Sequence, residues 1–150
     1  MTTSDTQDLV DRIIADHREV EAVFKEIEGC GTPAKRHELV EHAIAELVRH
    51  SIGEEEYLYP AARKALPAGD DLANRKLREH TDAEWVMKRI EGLHADDTQF
   101  ESLITKLIDD VRQHFESEER EVLPGLRTAC SESELRALGA ENQHLILNGI

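Results

Sequence analysis

The segment His50–Pro60, HSIGEEEYLYP, lies over His114–Pro124, HFESEEREVLP, at an offset of 64. His, Glu at i+4, Glu at i+5 and Pro at i+10 coincide. A second pair repeats at an offset of 63: His17–Gly29, HREVEAVFKEIEG, over His80–Gly92, HTDAEWVMKRIEG. There His, Glu at i+4, Val at i+6, Lys at i+8, Ile at i+10, Glu at i+11 and Gly at i+12 coincide. Two segments in the same order at nearly equal offsets read as one helical hairpin used twice. A duplicated hairpin closes into a bundle with a pseudo-twofold axis, and the matching His and Glu residues converge on that axis.

Apolar residues at helical spacing extend these segments into four long helices. The first is expected from about Asp5 to Glu28, with Leu9, Val10, Ile13, Ile14, His17, Val20, Phe24 and Ile27 inward. Thr32 as N-cap and Pro33 at the first helical position open the second. It runs to about Lys64 through Leu39, Val40, Ala43, Ile44, Leu47, Val48 and His50. The third spans about Asp71 to Leu93, with Leu77, His80, Met87 and Ile90 inward, and the fourth about Thr98 to Leu126. Ser131 with Glu134 forms a capping box for a short fifth helix ending near Gly139. The reading is all-α: an antiparallel up-down four-helix bundle with a short C-terminal helix. It is one domain over 1–150, with the bundle at about 5–126 and an extension at about 127–150.

Asp and Glu number 32 against 18 Lys and Arg, a formal net charge of −14. That balance argues against nucleic acid and anionic membrane as partners, because no basic stripe can release phosphate counterions. The start, MTTSDTQDLVDRII, has neither a basic n-region nor an apolar h-region, so a cytoplasmic protein is expected. Cys30 and Cys130 stand 100 positions apart, which suits two reduced thiols better than a disulfide framework. A monomer acting on a small molecule is the expected state.

The chemistry follows from spacing. Four residues advance a helix by about 400°, so His50 and Glu54 share a face, as do His114 and Glu118. That face is the apolar one, and a buried carboxylate is costly without positive compensation. His17, His50, His80 and His114 occupy the inward positions, and Lys and Arg do not. Neutral imidazoles do not compensate carboxylates; a metal held by both does. Four His and two bridging Glu suit two ions, and mixed N/O ligation in a bundle is typical of non-haem di-iron and di-manganese sites. Zinc is less suited, since structural zinc closes at four ligands and often uses thiolate. Glu119, at i+5, rivals Glu118. His42 and Glu46 repeat the spacing, but their counterparts are Lys106 and Asp110, so they belong to a solvated face. His37, His94 and His144 fall near helix ends or in loops.

Tyr57, seven residues after His50, returns to within about 20° of the ligand face, and its side chain leans toward the metals. It is expected either as a ligand to one metal or as a core tyrosine bonded to a carboxylate, while Tyr59 points elsewhere. Glu84 and Glu21, each four residues after a His, are candidates to orient an imidazole.

The ordered set His17, His50-x-x-x-Glu54, His80, His114-x-x-x-Glu118, with the Leu58-Tyr59-Pro60 and Val122-Leu123-Pro124 endings, resembles the hemerythrin-like (HHE cation-binding) family. The likeness covers about residues 9–126. It implies an up-down bundle holding two iron ions with a bridging oxo or hydroxo group, bridged also by Glu54 and Glu118. Oxygen-carrying hemerythrins have a second His four residues after the third-helix His, where this chain has Glu84. They close with Asp five residues after the fourth-helix His, where this chain uses Glu118 at i+4. The missing imidazole argues against reversible oxygen carriage. It points to branches associated with peroxide breakdown, nitric oxide chemistry or iron homeostasis. The expected activity is therefore catalase-like disproportionation of hydrogen peroxide. The alternative is a di-iron module that senses or stores oxygen, nitric oxide or iron.

Overall fold

A computed structural model describes residues 7–94 and 96–147. Among them the regular structure is entirely helical: α1 (Leu9–Gly29), α2 (Pro33–Gly53), a π-helical turn (Glu54–Leu58), α3 (Tyr59–Ala65), α4 (Gly69–Glu91), α5 (Thr98–Glu121), α6 (Leu123–Ala129) and α7 (Glu132–Leu147). Asp5, the expected start of the first helix, lies outside the described residues. Asp8 caps α1 instead, its carboxylate accepting from Asp11 N–H at 2.8 Å. Thr32 does stand before α2 with Pro33 at the first position, but its hydroxyl makes no capping bond.

The helices form a bundle in which α1 packs on α2 and α5, α4 packs on α5, and α7 lies across the start of α1. The helical stripes bury themselves in two apolar clusters. One gathers Phe24, Ile44, Leu47, Phe100, Leu107 and Phe115. The other gathers Leu9, Ile13, Leu58, Leu123, Leu126 and Leu135. Along each long helix the site histidine sits between residues of the two clusters: His17 follows Ile13 and precedes Val20, and His50 follows Leu47 and precedes Leu58. The polar centre therefore sits between two dry layers. Val48, one of the apolar residues along the second helix, is 43% exposed.

The capping box opens α7 as expected: Glu134 N–H donates to Ser131 Oγ and Ser131 N–H to Glu134 Oε1, both at 3.1 Å. The helix then continues to Leu147 and does not stop at Gly139. Gly139 faces the backbone of Gln7, Asp8 and Leu9, where a Cβ would strike main-chain atoms. The glycine is a point of close helix approach, not a terminator.

Candidate metal centre

Each of the four inward histidines comes from a different long helix. His17 on α1, His50 on α2, His80 on α4 and His114 on α5 are all buried, with Glu54 and Glu118 at 1% and 0% exposure. Each carboxylate divides its oxygens between two groups of donors. Glu54 Oε2 lies 2.8 Å from His50 Nε2 and 3.6 Å from His17 Nε2, while its Oε1 lies 2.9 Å from His80 Nε2 and 3.6 Å from His114 Nε2. Glu118 Oε1 lies 3.2 Å from His17 Nε2 and its Oε2 3.3 Å from His114 Nε2. The structure thus brings together all six residues singled out by the repeat, in two groups that share the carboxylates.

The outer nitrogens explain how the rings are aimed. His17 Nδ1 is 2.7 Å from Glu119, His80 Nδ1 2.9 Å from Glu55, His114 Nδ1 2.6 Å from Glu79 and His50 Nδ1 3.4 Å from Asp16. A carboxylate only accepts, so each Nδ1 carries the proton and each Nε2 points its remaining valence inward. These partners obey the repeat as well: Asp16 lies over Glu79 at 63, and Glu55 over Glu119 at 64. Glu119 is therefore the partner of His17 and Glu118 the inward carboxylate. Glu21 and Glu84 do not orient imidazoles. Glu21 pairs with Arg112 at 2.7 Å, and Glu84 faces solvent. His42 is exposed, as expected for a solvated face.

Tyr57 is turned away from this cluster, and Tyr59 stands in its place. Tyr57 is half-buried in a groove with Pro60, Lys64, Cys130 and Leu138. The Tyr59 hydroxyl donates to Glu118 Oε2 at 2.6 Å and lies 3.0 Å from Glu54 Oε1, 3.1 Å from His80 Nε2 and 3.4 Å from His114 Nε2. The cause is the π-helical turn. Tyr59 N–H bonds to Glu54 O, five residues back, which stacks Tyr59 over Glu54. In an unbroken α-helix the two would sit about 140° apart. Pro60 fits this break, because its ring nitrogen has no hydrogen to give to the α-helical ladder. The second hairpin carries Leu123 at the Tyr59 position.

The electrostatics show what the donors lack. Burial pushes the His17 pKa down, yet hydrogen bonds with Glu118, Glu119 and Glu54 outweigh it and hold it up at about 10. His50 is likewise pushed up to about 9, burial being overcome by the charge of Glu54 and the bond to Asp16. His80 and His114 are also raised, against burial, by the carboxylates. Burial raises the Glu54 pKa, but His50 and the surrounding hydrogen bonds hold it well below the usual carboxylate range. Burial and the charges of Glu54 and Glu118 push the Tyr59 phenol far up. The two buried carboxylates thus demand cations, supplied either by protons on the imidazoles or by metal.

Hydrogen bonding favours metal. His17 Nε2, His50 Nε2, Glu54 Oε2 and Glu118 Oε1 are buried and meet only one another, with no hydrogen-bond partner outside the cluster. Single donor atoms from His17, His50, Glu54 and Glu118 lie within 4.8 Å of one another, as do single donors from Glu54, His80 and His114. Buried polar atoms are costly unless satisfied, and four that meet only one another fit a bound cation. A cleft of about 810 Å³ reaches His50, His80 and His114 from the surface between α4 and α5, with Trp85 66% exposed beside it.

Comparisons with known proteins agree. The chain is 26% identical over 125 residues to an uncharacterised hemerythrin-like protein of Schizosaccharomyces pombe, covering 83% of this chain and 62% of that one. It is 26% identical over 140 residues to a DNA nickase of Nostoc sp. (strain PCC 7120), covering 92% of this chain and 39% of that one. The chain therefore spans only part of the length of both curated relatives. No solved structure gives a significant match. The model of the hemerythrin HHE cation binding domain matches residues 8–126, a stretch that holds all six inward donors and Tyr59, and the chain belongs to that family.

Proposed function

We propose that the chain is a single-domain, cytoplasmic di-iron protein that disproportionates hydrogen peroxide, two peroxides giving two waters and one dioxygen. The observation that carries this reading is the pair of donor groups joined by Glu54, with Glu118 reaching His114 as well, and with four of their atoms meeting no partner outside the cluster. His17, His50, His80, His114, Glu54 and Glu118 would hold two irons with a bridging oxo or hydroxo group, in an antiparallel up-down four-helix bundle. Such a pair supplies a two-electron redox couple, which matches the two-electron change of each peroxide.

The chain's own residues do the rest. Glu54 and Glu118 supply negative charge to both positions, and Asp16, Glu55, Glu79 and Glu119 keep the imidazoles aimed inward. Phe115 stacks on the His17 ring at 3.8 Å and excludes water from that side. The cleft admits a small neutral molecule, and a net charge of −14 does not repel one. Tyr59 brings a hydroxyl to the centre, placed to give a proton to a departing oxygen and to recover it. The acidic surface argues against carrying over the activity in the Nostoc relative's name.

The test is iron, manganese and zinc content of purified protein, followed by oxygen release on adding peroxide. About two irons per chain with release above a metal-free control supports the proposal. Two irons without release replaces it with the sensing or storage reading.

A further inference from the structure

We propose that Lys76 is a positioning residue for one half of the metal centre, acting on His114 through Glu79. The inference rests on the dinuclear reading above but not on peroxide chemistry. Lys76 is on α4 and only 1% exposed, an expensive place for an ammonium group. Its Nζ donates to Ser117 Oγ and lies 3.5 Å from Glu79 Oε1 and 3.6 Å from Glu121 Oε1. The same Glu79 oxygen receives His114 Nδ1–H at 2.6 Å, the shortest of the four imidazole–carboxylate contacts. Lysine, carboxylate and imidazole therefore form one chain ending at the inward nitrogen of His114.

The internal repeat shows that this chain is not a requirement of the scaffold. At an offset of 63, Lys76 lies over Ile13; at 64, Ser117 lies over Gly53 and Glu121 over Tyr57. All three parts of the lysine site have apolar or aromatic residues, or a glycine, in the other hairpin. There the corresponding carboxylate, Asp16, meets His50 only at 3.4 Å. One half of the centre has a carboxylate pinned by a buried cation, and the other has a looser one. Pinning Glu79 limits the directions in which His114 can turn, and the lysine charge draws electron density off the carboxylate that polarises it. The two metal positions thus differ in ligand stiffness and in electron donation.

The experiment uses the full chain with Lys76→Met, which keeps an unbranched side chain without charge. Stepwise anaerobic titration with ferrous iron is read together with the Mössbauer spectrum. Wild type should take two irons. In the variant, one of the two affinities should fall about 10–100-fold and one of the two iron signals should move, the other staying put. Glu79→Gln keeps the buried lysine and should move the same signal, so the proposal stays testable if Lys76→Met does not fold. Both signals and both affinities unchanged in the folded variants would overturn it. So would equal weakening of both sites together with a lowered Tm, the mark of a purely structural ion pair. Wild type taking fewer than two irons would instead overturn the dinuclear reading beneath it.

Discussion

The two halves of the centre come from the same repeated hairpin, yet they offer different surroundings to a cation. The half built on His17 and His50 presents four donor atoms with no partner outside the cluster. The half built on His80 and His114 presents the other carboxylate oxygens plus the Tyr59 hydroxyl, which donates to Glu118 Oε2 and lies within reach of both ring nitrogens. The difference comes from one helical turn. A π-helical turn rotates Tyr59 inward in the first hairpin, whereas the second breaks at Val122 and buries Leu123 in the apolar cluster. A duplicated scaffold has thus become asymmetric by changing one residue type and one hydrogen-bond register. In the reading proposed here the half without the phenol keeps more room for an exogenous ligand.

The largest expected effect is loss of the donors themselves. His50→Ala should cost the first half its iron and His114→Ala the second, so each single variant keeps about one iron and the double variant keeps none, measured by metal analysis. Metal bound to the folded state at about 100 times its Kd adds about 2.7 kcal/mol of stability. For a chain of this size that is a Tm rise of about 5–10 °C, which each variant should lose in part. Full iron in the double variant would break the comparison outright. His42→Ala, on the solvated face, should keep both irons and its Tm.

Next comes Tyr59→Phe, which leaves packing intact and removes the oxygen found in one half only. Iron content should hold, while peroxide turnover should fall, because the proton donor is lost. Tyr57→Phe should change neither. Turnover unchanged in Tyr59→Phe would mean the halves do not differ in the way the hydroxyl suggests.

The misplacement of the tyrosine marks the limit of what periodicity can read. Four helices and six inward donors were legible because 3.6-residue spacing and a 63–64 offset are both written in residue types. The π-helical turn is written only as a backbone hydrogen bond from Tyr59 to Glu54, so counting in steps of 100° selects Tyr57. Gly139 misleads for a similar reason: a terminator and a point of close helix contact use the same residue, and only the path of α1 separates them. The orienting carboxylates did leave a signal. Asp16 with Glu79, and Glu55 with Glu119, repeat at the same offsets as the histidines, but among so many acidic residues they resemble surface charge. Lys76 left no periodic trace, since its burial depends on Ser117, Glu79 and Glu121 from two helices.

A smaller and slower effect is expected with pH, and it has opposite signs with and without metal. His17 and His50, both in the four-donor half, have pKa values raised to about 10 and about 9 from an unfolded value near 6.5. A raised pKa stabilises the folded state fully below about pH 6.5, and that contribution is lost as pH climbs through about 9 and 10. Metal-free protein should therefore lose Tm steadily over that window. In the loaded protein a cation replaces those protons, so iron affinity should rise across the same window. Tm curves that run parallel with and without iron would show that protons and metal do not compete for these nitrogens.

The smallest expected effect separates the orienting carboxylates. Asp16→Asn changes the partner of His50, whose contact is 3.4 Å long against 2.6–2.9 Å for the other three imidazoles. A long bond to a carboxylate already partly open to solvent does little to fix the ring, so removing its charge should barely alter metal binding. Glu119→Gln acts on a 2.7 Å contact to a fully buried imidazole and should weaken the same half by more, toward the roughly tenfold end of what outer partners contribute. The measurement is the iron affinity of the His17/His50 half in each variant. Equal losses would mean that ring orientation there depends on charge nearby and not on the bond, because both variants remove one negative charge and only one weakens a short contact. A larger loss for Glu119→Gln would show that the looser half still has one tight support, through His17, with His50 left comparatively free.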